Sequence, residues 1–382
     1  MNNKELILYK DIISKKKTKK FLFGNWLINS YKDDFFYIIK SNFKNTSPIE
    51  DSDDDTYKQA LKFVKLLSYG LNQVLNLNEN QTYWKTVLYP WLYYYCNFIT
   101  CISRRVEKIL NLDNSLNCKI VNYDKFKKIV PYNFDNFNEL SGNELWNGPI
   151  IFEIFSYFEK KKNKKLIKFN HIKKDKRISR KKFIPVTYNT VKDRLLNIFF
   201  NINNFFPIRK TQPFIISPYL PSIHEALLKM SYFSMPKKFK SPEIKYTSAN
   251  FKIRKKLIKI LLNNKKLKPY DIIAIKNLFN CLPLAYLENH ISILKETQKI
   301  KWPSKPKFIF TSNNHIWDEF FKIWSAKQRS RGTPFFVGQH GANFGTNKSS
   351  IYYCEEVVPD KLFTWGWSFR KSFHVPTFNT KI

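Results

Sequence analysis

With 382 residues, of which 43% are hydrophobic and 17% of the whole chain aromatic, the chain has enough apolar material for two packed domains, which excludes a disordered, collagen-like or disulfide-framework protein. The formal charge is +36, but only ten of the 66 basic residues are Arg, and Asn, Ile, Phe and Tyr are abundant too, the pattern of a genome biased toward A and T. The lysines fall in short scattered runs (residues 15–20, 160–165 and 173–182), which describe a solvated surface suited to an anionic membrane rather than a groove for specific nucleic acid.

In chain order, residues 6–9 and 21–26 carry short β signals ahead of helical patterns. Residues 50–55 are acidic and follow Asn45-Thr46-Ser47-Pro48, so an exposed loop is expected there. The longest helical pattern covers about residues 83–110. Within it, residues 86–103 carry no charge, the lower limit for a membrane span. Pro90, Asn97 and the tyrosines 93–95 make a buried amphipathic helix the expected form, with an interfacial helix as the alternative. Residues 160–182 hold few large apolar side chains and are expected to separate two structural units. The expected division is an α/β region with long helices over 1–165, a basic connecting segment over 166–205 and a Rossmann-like region over 206–382. Residues 213–217 then form a strand, and Pro221 opens a helix near 222–230.

The C-terminal part has the clearest local pattern. Residues 307–311 are a compact β run. Ser312-Asn313-Asn314 supplies N-cap oxygens, and Asp318 and Glu319 fall in the first helical turn, where the dipole favours negative charge. Ile316, Phe320 and Trp324 lie four apart on one face; Lys327, Arg329 and Arg331 crowd the far end before Gly332, and residues 334–338 are the next β run. Strand, helix and strand in this order form a right-handed parallel unit, so both carboxyl ends meet at one sheet edge, the edge where open α/β sheets bind ligands. Asn313, Asn314 and Gln339-His340-Gly341 are therefore expected on that edge.

His340 has a side chain whose ordinary pKa suits a general base. Gly338, Gly341 and Gly345 allow turns and close approach; Gln339 and Asn343 can each donate and accept. Glu355, Glu356 and Asp360 return carboxylates before residues 362–365, which end at Trp365. A histidine at a strand end can equally be hydrogen-bonded scaffold, and position alone does not choose. His171, His224, His290 and His374 share no spacing and are expected to be structural or on the surface, while His315 could reach the same edge. Cys96, Cys101, Cys118, Cys281 and Cys354 are odd in number and show no metal-ligand spacing, so no metal is expected and a reducing cytoplasm fits. The first five residues lack the apolar run of a signal peptide.

The run Val337-Gly-Gln-His-Gly-Ala-Asn-Phe-Gly345, with Glu355-Glu356 and Asp360-Lys-Leu-Phe-Thr-Trp-Gly-Trp367, resembles a family of transferases from bacterial surface-polysaccharide gene clusters, first catalogued in spirochaetes. Phe23-Gly24-Asn25-Trp26, Tyr83-Trp84 with Pro90-Trp91-Leu92 and Arg104-Arg105, and Leu282-Pro283 with Leu287-Glu288 resemble further blocks of that family. Ala342 stands where the family usually has Gly.

The resemblance implies a GT-B-like α/β fold, this chain being its Rossmann-like acceptor-side half with a largely helical N-terminal region. It implies a glycosyltransferase that moves a sugar-type group from a nucleotide-activated donor to a hydroxyl of a glycan or lipid-linked acceptor. His340 would be base or polar anchor, with Gln339 and Asn343 orienting the substrate. Glu355, Glu356 or Asp360 would partner the base or substrate, with Gly341, Gly345, Asn313, Asn314 and Trp365 in the binding site. No cofactor is implied. Family members continue beyond the Trp-Gly-Trp segment, and residues 368–382 contain no Gly-rich phosphate loop, so the donor-binding domain is expected to lie outside this chain. The expected location is the cytoplasm or the periphery of the inner membrane. A non-catalytic acceptor-binding half is the alternative, and a basic nucleic-acid-binding protein, with a steep salt dependence, is the reading that charge alone supports.

Overall fold

The structure is a computed structural model that describes residues 4–10, 19–24, 27, 36–38, 46–111, 116–163, 167–173, 207–232, 237, 239–341, 344–346, 350 and 353–379. The fold is α/β, with two five-stranded parallel sheets and a largely helical N-terminal region. The chain divides into two compact units that interleave along the sequence: residues 1–56, 94–180 and 249–283 form the first, and residues 57–93, 181–248 and 284–382 the second.

The first unit holds β1 (Lys4–Ile7), β2 (Lys19–Leu22), β3 (Phe36–Ile38), β4 (Leu116–Val121) and β5 (Ile167–Ile172) in the order β3-β2-β1-β4-β5. The order reverses between β1 and β4, as in a doubly wound sheet. Along β4, Leu116, Cys118 and Ile120 turn inward while Asn117 and Lys119 are half-buried, the period of two expected of a strand. The lysine-rich stretch expected as a connector from residue 166 opens instead with β5, an edge strand. Its Phe169 packs on Phe152 with ring centroids 4.8 Å apart, so one apolar face is enough to hold a strand whose other residues are polar. Residues 174–206, the rest of that expected connector, lie outside the described residues.

The helices in chain order are α1 (Thr46–Leu75), α2 (Gln81–Leu110), α3 (Tyr123–Phe126), α4 (Phe134–Ser141), α5 (Glu144–Lys162), α6 (Ser222–Ser231), α7 (Phe251–Leu262), α8 (Pro269–Cys281), α9 (His290–Lys299), α10 (Asn314–Trp317), α11 (Glu319–Arg329) and α12 (Cys354–Val357). The abundant asparagines start several of them. The side chains of Asn80, Asn133, Asn143 and Asn250 accept backbone N–H groups in the first turns of α2, α4, α5 and α7. Residues 50–55 are not a loop but part of α1. The uncharged run 86–103 lies in α2, where Val87, Leu88, Tyr89, Trp91, Leu92, Tyr95, Cys96 and Ile99 are buried core. No helix among the described residues is long and apolar enough to cross a membrane.

The second unit holds β6 (Phe214–Ile216), β7 (Ile309–Thr311), β8 (Phe335–Gly338), β9 (Lys361–Trp365) and β10 (His374–Thr377), all parallel and paired in chain order. Ile309, Thr311, Phe335, Val337, Leu362 and Thr364 are fully buried on one face; Phe310, Phe336 and Phe363 share the other and are half-buried. The single helix expected after β7 is split in two. Asp318 adopts an extended backbone (φ −93°, ψ 96°), and its carboxylate accepts the N–H of Phe321, so it ends α10 and caps α11. A short acidic side chain at that position competes for a cap of its own. Ile316, Phe320 and Trp324 are buried as expected, and Trp324 meets Phe214 at 4.4 Å and Trp302 at 4.9 Å.

Tyr83 and Trp84 serve a buried histidine of the same unit. His290 is fully buried, stacks on Trp84 at 4.9 Å and has Nε2 2.8 Å from the Tyr83 hydroxyl. Burial pushes its pKa down to about 4. The unfolded chain therefore binds a proton between pH 6.5 and 4 that the folded chain refuses, and stability falls as pH falls through that window, by about 3 kcal/mol from this group. His315, also depressed by burial, acts in the same direction. Urea unfolding from pH 7 to pH 4 is expected to show a shallower decline in His290→Phe; a parallel decline would mean that His290 is not the titrating group.

Candidate active site at the carboxyl edge of the second sheet

The carboxyl ends of β6, β7, β8 and β9 deliver Tyr219, Asn313, His340 and Trp365 to one edge, because all four strands are parallel. Ser217 and Tyr219, just after β6, have φ of +46° and +60°. Left-handed backbone at two side-chain-bearing residues is strained, and such strain concentrates at functional sites. It brings the half-exposed Tyr219 ring parallel to His340, centroids 6.0 Å apart, and its hydroxyl accepts from Asn313 Nδ2 at 2.8 Å. Phe344 closes on the other edge of His340 at 5.1 Å.

Gln339 fixes the turn that carries His340. Its backbone N–H continues the sheet to the Phe363 carbonyl at 2.8 Å. Its buried amide donates to the Gly341 carbonyl and accepts both the Trp365 backbone N–H and the Trp367 indole N–H, each at 2.8 Å. The Gln-His-Gly and Trp-Gly-Trp segments are thus two ends of one bracket, and Gln339 spends its amide on the protein. Gly345 completes it: its φ is +73°, and a Cβ there would lie 3.0 Å from the Trp367 ring. Gly338 is needed for a close approach rather than a turn, since a Cβ would meet Phe310 and Ser312 at 2.9 Å. Gly341 has neither demand on it; the nearest atom to a Cβ is on Phe344 at 4.0 Å.

The remaining expected site residues divide by burial and partner. Asn313 is partly exposed at the edge. Asn314 faces inward: its amide donates to Asp318 at 3.1 Å, and its backbone N–H donates to Thr311 Oγ1 at 3.2 Å. Glu356 is buried and bound to Arg370 and to His374 Nε2 at 2.9 Å; His374 Nδ1 accepts from the backbone of Phe369 and Arg370, which leaves its proton on Nε2, toward the carboxylate. His374, expected to be structural or on the surface, is buried. Asp360 pairs with Arg329 at 3.1 Å and accepts the Phe335 N–H at 2.7 Å. The Trp365 indole N–H is buried with no hydrogen-bond partner among the described residues. Asn343 lies outside the described residues.

Glu355 is as buried as Glu356 but has a different partner. It is 4% exposed, burial pushes its pKa up to about 7, and it accepts from the Cys354 thiol at 3.3 Å. His315 is fully buried beside it; burial, with lesser contributions from the nearby His340 and Lys322, holds it neutral, well below its ordinary pKa. Tyr219 and Cys354 were not singled out in the sequence. The signal for Tyr219 was its place two residues beyond a buried strand, in Ser217-Pro218-Tyr219.

The first unit has a separate concavity of about 630 Å³ between α5, α7 and α8, lined by Lys160, Lys255 and Lys276, by the Lys127–Glu153 ion pair, and by apolar side chains such as Ile258, Ile273 and Phe279.

The family model described as LIC12162 family transferase matches residues 9–382, nearly the whole chain. The chain belongs to the LIC12162 family of transferases. Group transfer is therefore the chemistry of the family to which this chain belongs. No curated protein and no solved structure matches it.

Proposed function

We propose that this family member is a GT-B-like glycosyltransferase of bacterial surface-polysaccharide biosynthesis. It moves a sugar-type group from a nucleotide-activated donor to a hydroxyl of a glycan or lipid-linked acceptor, in the cytoplasm or at the periphery of the inner membrane. The observation that carries this reading is His340, partly exposed at the ligand edge of a parallel sheet, on a turn held by Gln339 and against the ring of Tyr219.

In the proposed step, neutral His340 takes the acceptor hydroxyl proton as the oxygen attacks the anomeric carbon. The new C–O bond forms while the bond to the nucleotide phosphate breaks, and the leaving phosphate keeps the electron pair. Asn313, the Tyr219 hydroxyl and Asn343 are the polar groups assigned to orient the acceptor, with Trp365 beside them. Glu356 and Asp360 act as braces, since both carboxylates are held by protein cations. Gln339 is a positioning residue.

A screen of nucleotide sugars against glycan and lipid-linked acceptors, with product mass as the readout, tests this. His340→Ala is expected to lower the transfer rate by roughly 10²–10⁴-fold, the range for a lost general base, with the unfolding midpoint near that of the wild type. A His340→Ala enzyme that transfers at the wild-type rate would remove His340 as the base. Acceptor binding without transfer from any donor would favour a non-catalytic half.

A further inference from the structure

We propose that His315, Cys354 and Glu355 form a binding site for a zinc-type divalent cation near the His340 turn. This goes beyond the proposed transferase reading and does not depend on it. His315 comes from α10, just after β7; Cys354 and Glu355 open α12, just before β9. All three side chains are buried, at 0%, 6% and 4% exposure, and one ligand atom from each lies within 4.8 Å of the others.

His315 supplies the independent observation. A neutral imidazole always offers one N–H and one lone pair. Neither ring nitrogen of His315 has a hydrogen-bond partner among the described residues, although the ring is fully buried and its aromatic neighbour, Phe335, stands 6.2 Å away. Buried polar groups are normally satisfied, and the exceptions need an explanation. A metal that takes the lone pair supplies one.

The donor set then narrows the ion. One imidazole nitrogen, one thiolate and one carboxylate suit zinc, which accepts nitrogen, sulfur and oxygen at about 2.0–2.3 Å and is often held by three protein ligands with a fourth position open. Bonds of that length bring tetrahedral ligand atoms to roughly 3.3–3.8 Å of one another, so closure needs a shift of about an ångström. Binding displaces the thiol proton of Cys354, and the thiolate with the Glu355 carboxylate neutralises the ion.

The charged neighbours allow this. Lys322 faces both His315 and Cys354, but its ammonium pairs with Glu319 at 2.9 Å and donates to Tyr286 and to the Ile316 carbonyl, each at 3.0 Å. Glu356 is committed to Arg370 and His374. His340 also lies close enough to His315 to disfavour its charged form, so a bound ion would sit near the His340 turn. His315 is far in sequence from the adjacent Cys354 and Glu355, and the ligands come from two short helices, which is why Cys and His spacing gave no hint of them.

The test uses the full chain, purified without a metal-chelating tag. Elemental analysis is expected to find one zinc per chain. Stripping with a chelator is expected to lower the melting temperature by several degrees, and added Zn²⁺ to restore it. Reconstitution with Co²⁺ is expected to give a near-ultraviolet thiolate-to-cobalt charge-transfer band that disappears in Cys354→Ser. No bound zinc and no response of the melting temperature to Zn²⁺ or Co²⁺ would overturn the site. So would a thiolate band that survives in Cys354→Ser, because another cysteine would then hold the ion. These readouts concern the wild-type metal content and do not move with transferase activity, so failure of the site and failure of the transferase reading are separable.

Discussion

Gln339→Leu is expected to lose about 3–5 kcal/mol of stability, on the scale of 1–3 kcal/mol for each buried polar group left unpaired. Leucine matches the volume of glutamine but carries no polar atoms. It would strand the backbone N–H of Trp365, the indole N–H of Trp367 and the Gly341 carbonyl, all now satisfied by one buried amide. Gln339→Glu separates the contributions, since a carboxylate still accepts both N–H groups and loses only the donation to Gly341. Urea unfolding of the two variants is the measurement, and Leu should be the worse. A Gln339→Leu protein within 1 kcal/mol of wild type would show that water or a rearranged turn replaces the bracket. Transfer activity should fall with either substitution, because the His340 turn loses its anchor while His340 itself is untouched.

Glu319→Gln should be comparably destabilising, at about 3–5 kcal/mol, the range for removing one partner of a buried ion pair. Lys322 and Glu319 are 0% and 1% exposed, with Nζ and Oε2 2.9 Å apart, and the Tyr286 hydroxyl accepts from Lys322 and donates to Glu319, both at 3.0 Å. Neutralising Glu319 leaves the lysine charge buried with only dipoles around it. The double variant Glu319→Gln with Lys322→Met removes that charge and should recover much of the loss. A double variant no better than Glu319→Gln alone would mean that packing around Tyr286, not the charge, is what the pair supplies. Equilibrium unfolding at pH 7 reads both.

The sequence exposed the second sheet well and the first poorly, for reasons visible in single residues. Residues 307–338 carry agreeing signals: an apolar run, an i,i+4 row of Ile316, Phe320 and Trp324, and a glycine stop at Gly332, whose φ of +93° suits it; the expected asparagine cap is not made, since Asn313 forms no side-chain cap at the start of α10. In β5, by contrast, Lys168, Asn170 and His171 hide a strand that needs only Ile167 and Phe169 to pack. Asp318 capped α11 because its carboxylate had a nearer backbone to bind than the helix pattern assumed. His340, Asn313 and Trp365 reach the expected edge because parallel strands leave no other place for their loops. The roles of the acidic residues were hidden, because Arg329, Arg370 and His374, which hold Asp360 and Glu356, are partners assigned only by tertiary packing. Glu355 is as buried as Glu356, at 4% exposure each, but its hydrogen-bond partner is the Cys354 thiol rather than a cation.

The strand order of the second sheet also bears on how quickly that sheet can form. From β7 to β10 every strand pairs with its successor in the chain, so each new pairing closes a loop of only a few tens of residues and the entropy lost is small. β6 is the exception: residues 217–308 separate it from β7, and that pairing must wait for a long closure. In refolding, amides of β8 and β9 should gain protection before those of β6. Tyr219, carried just beyond β6, is then the last of the sheet-edge residues to arrive beside His340.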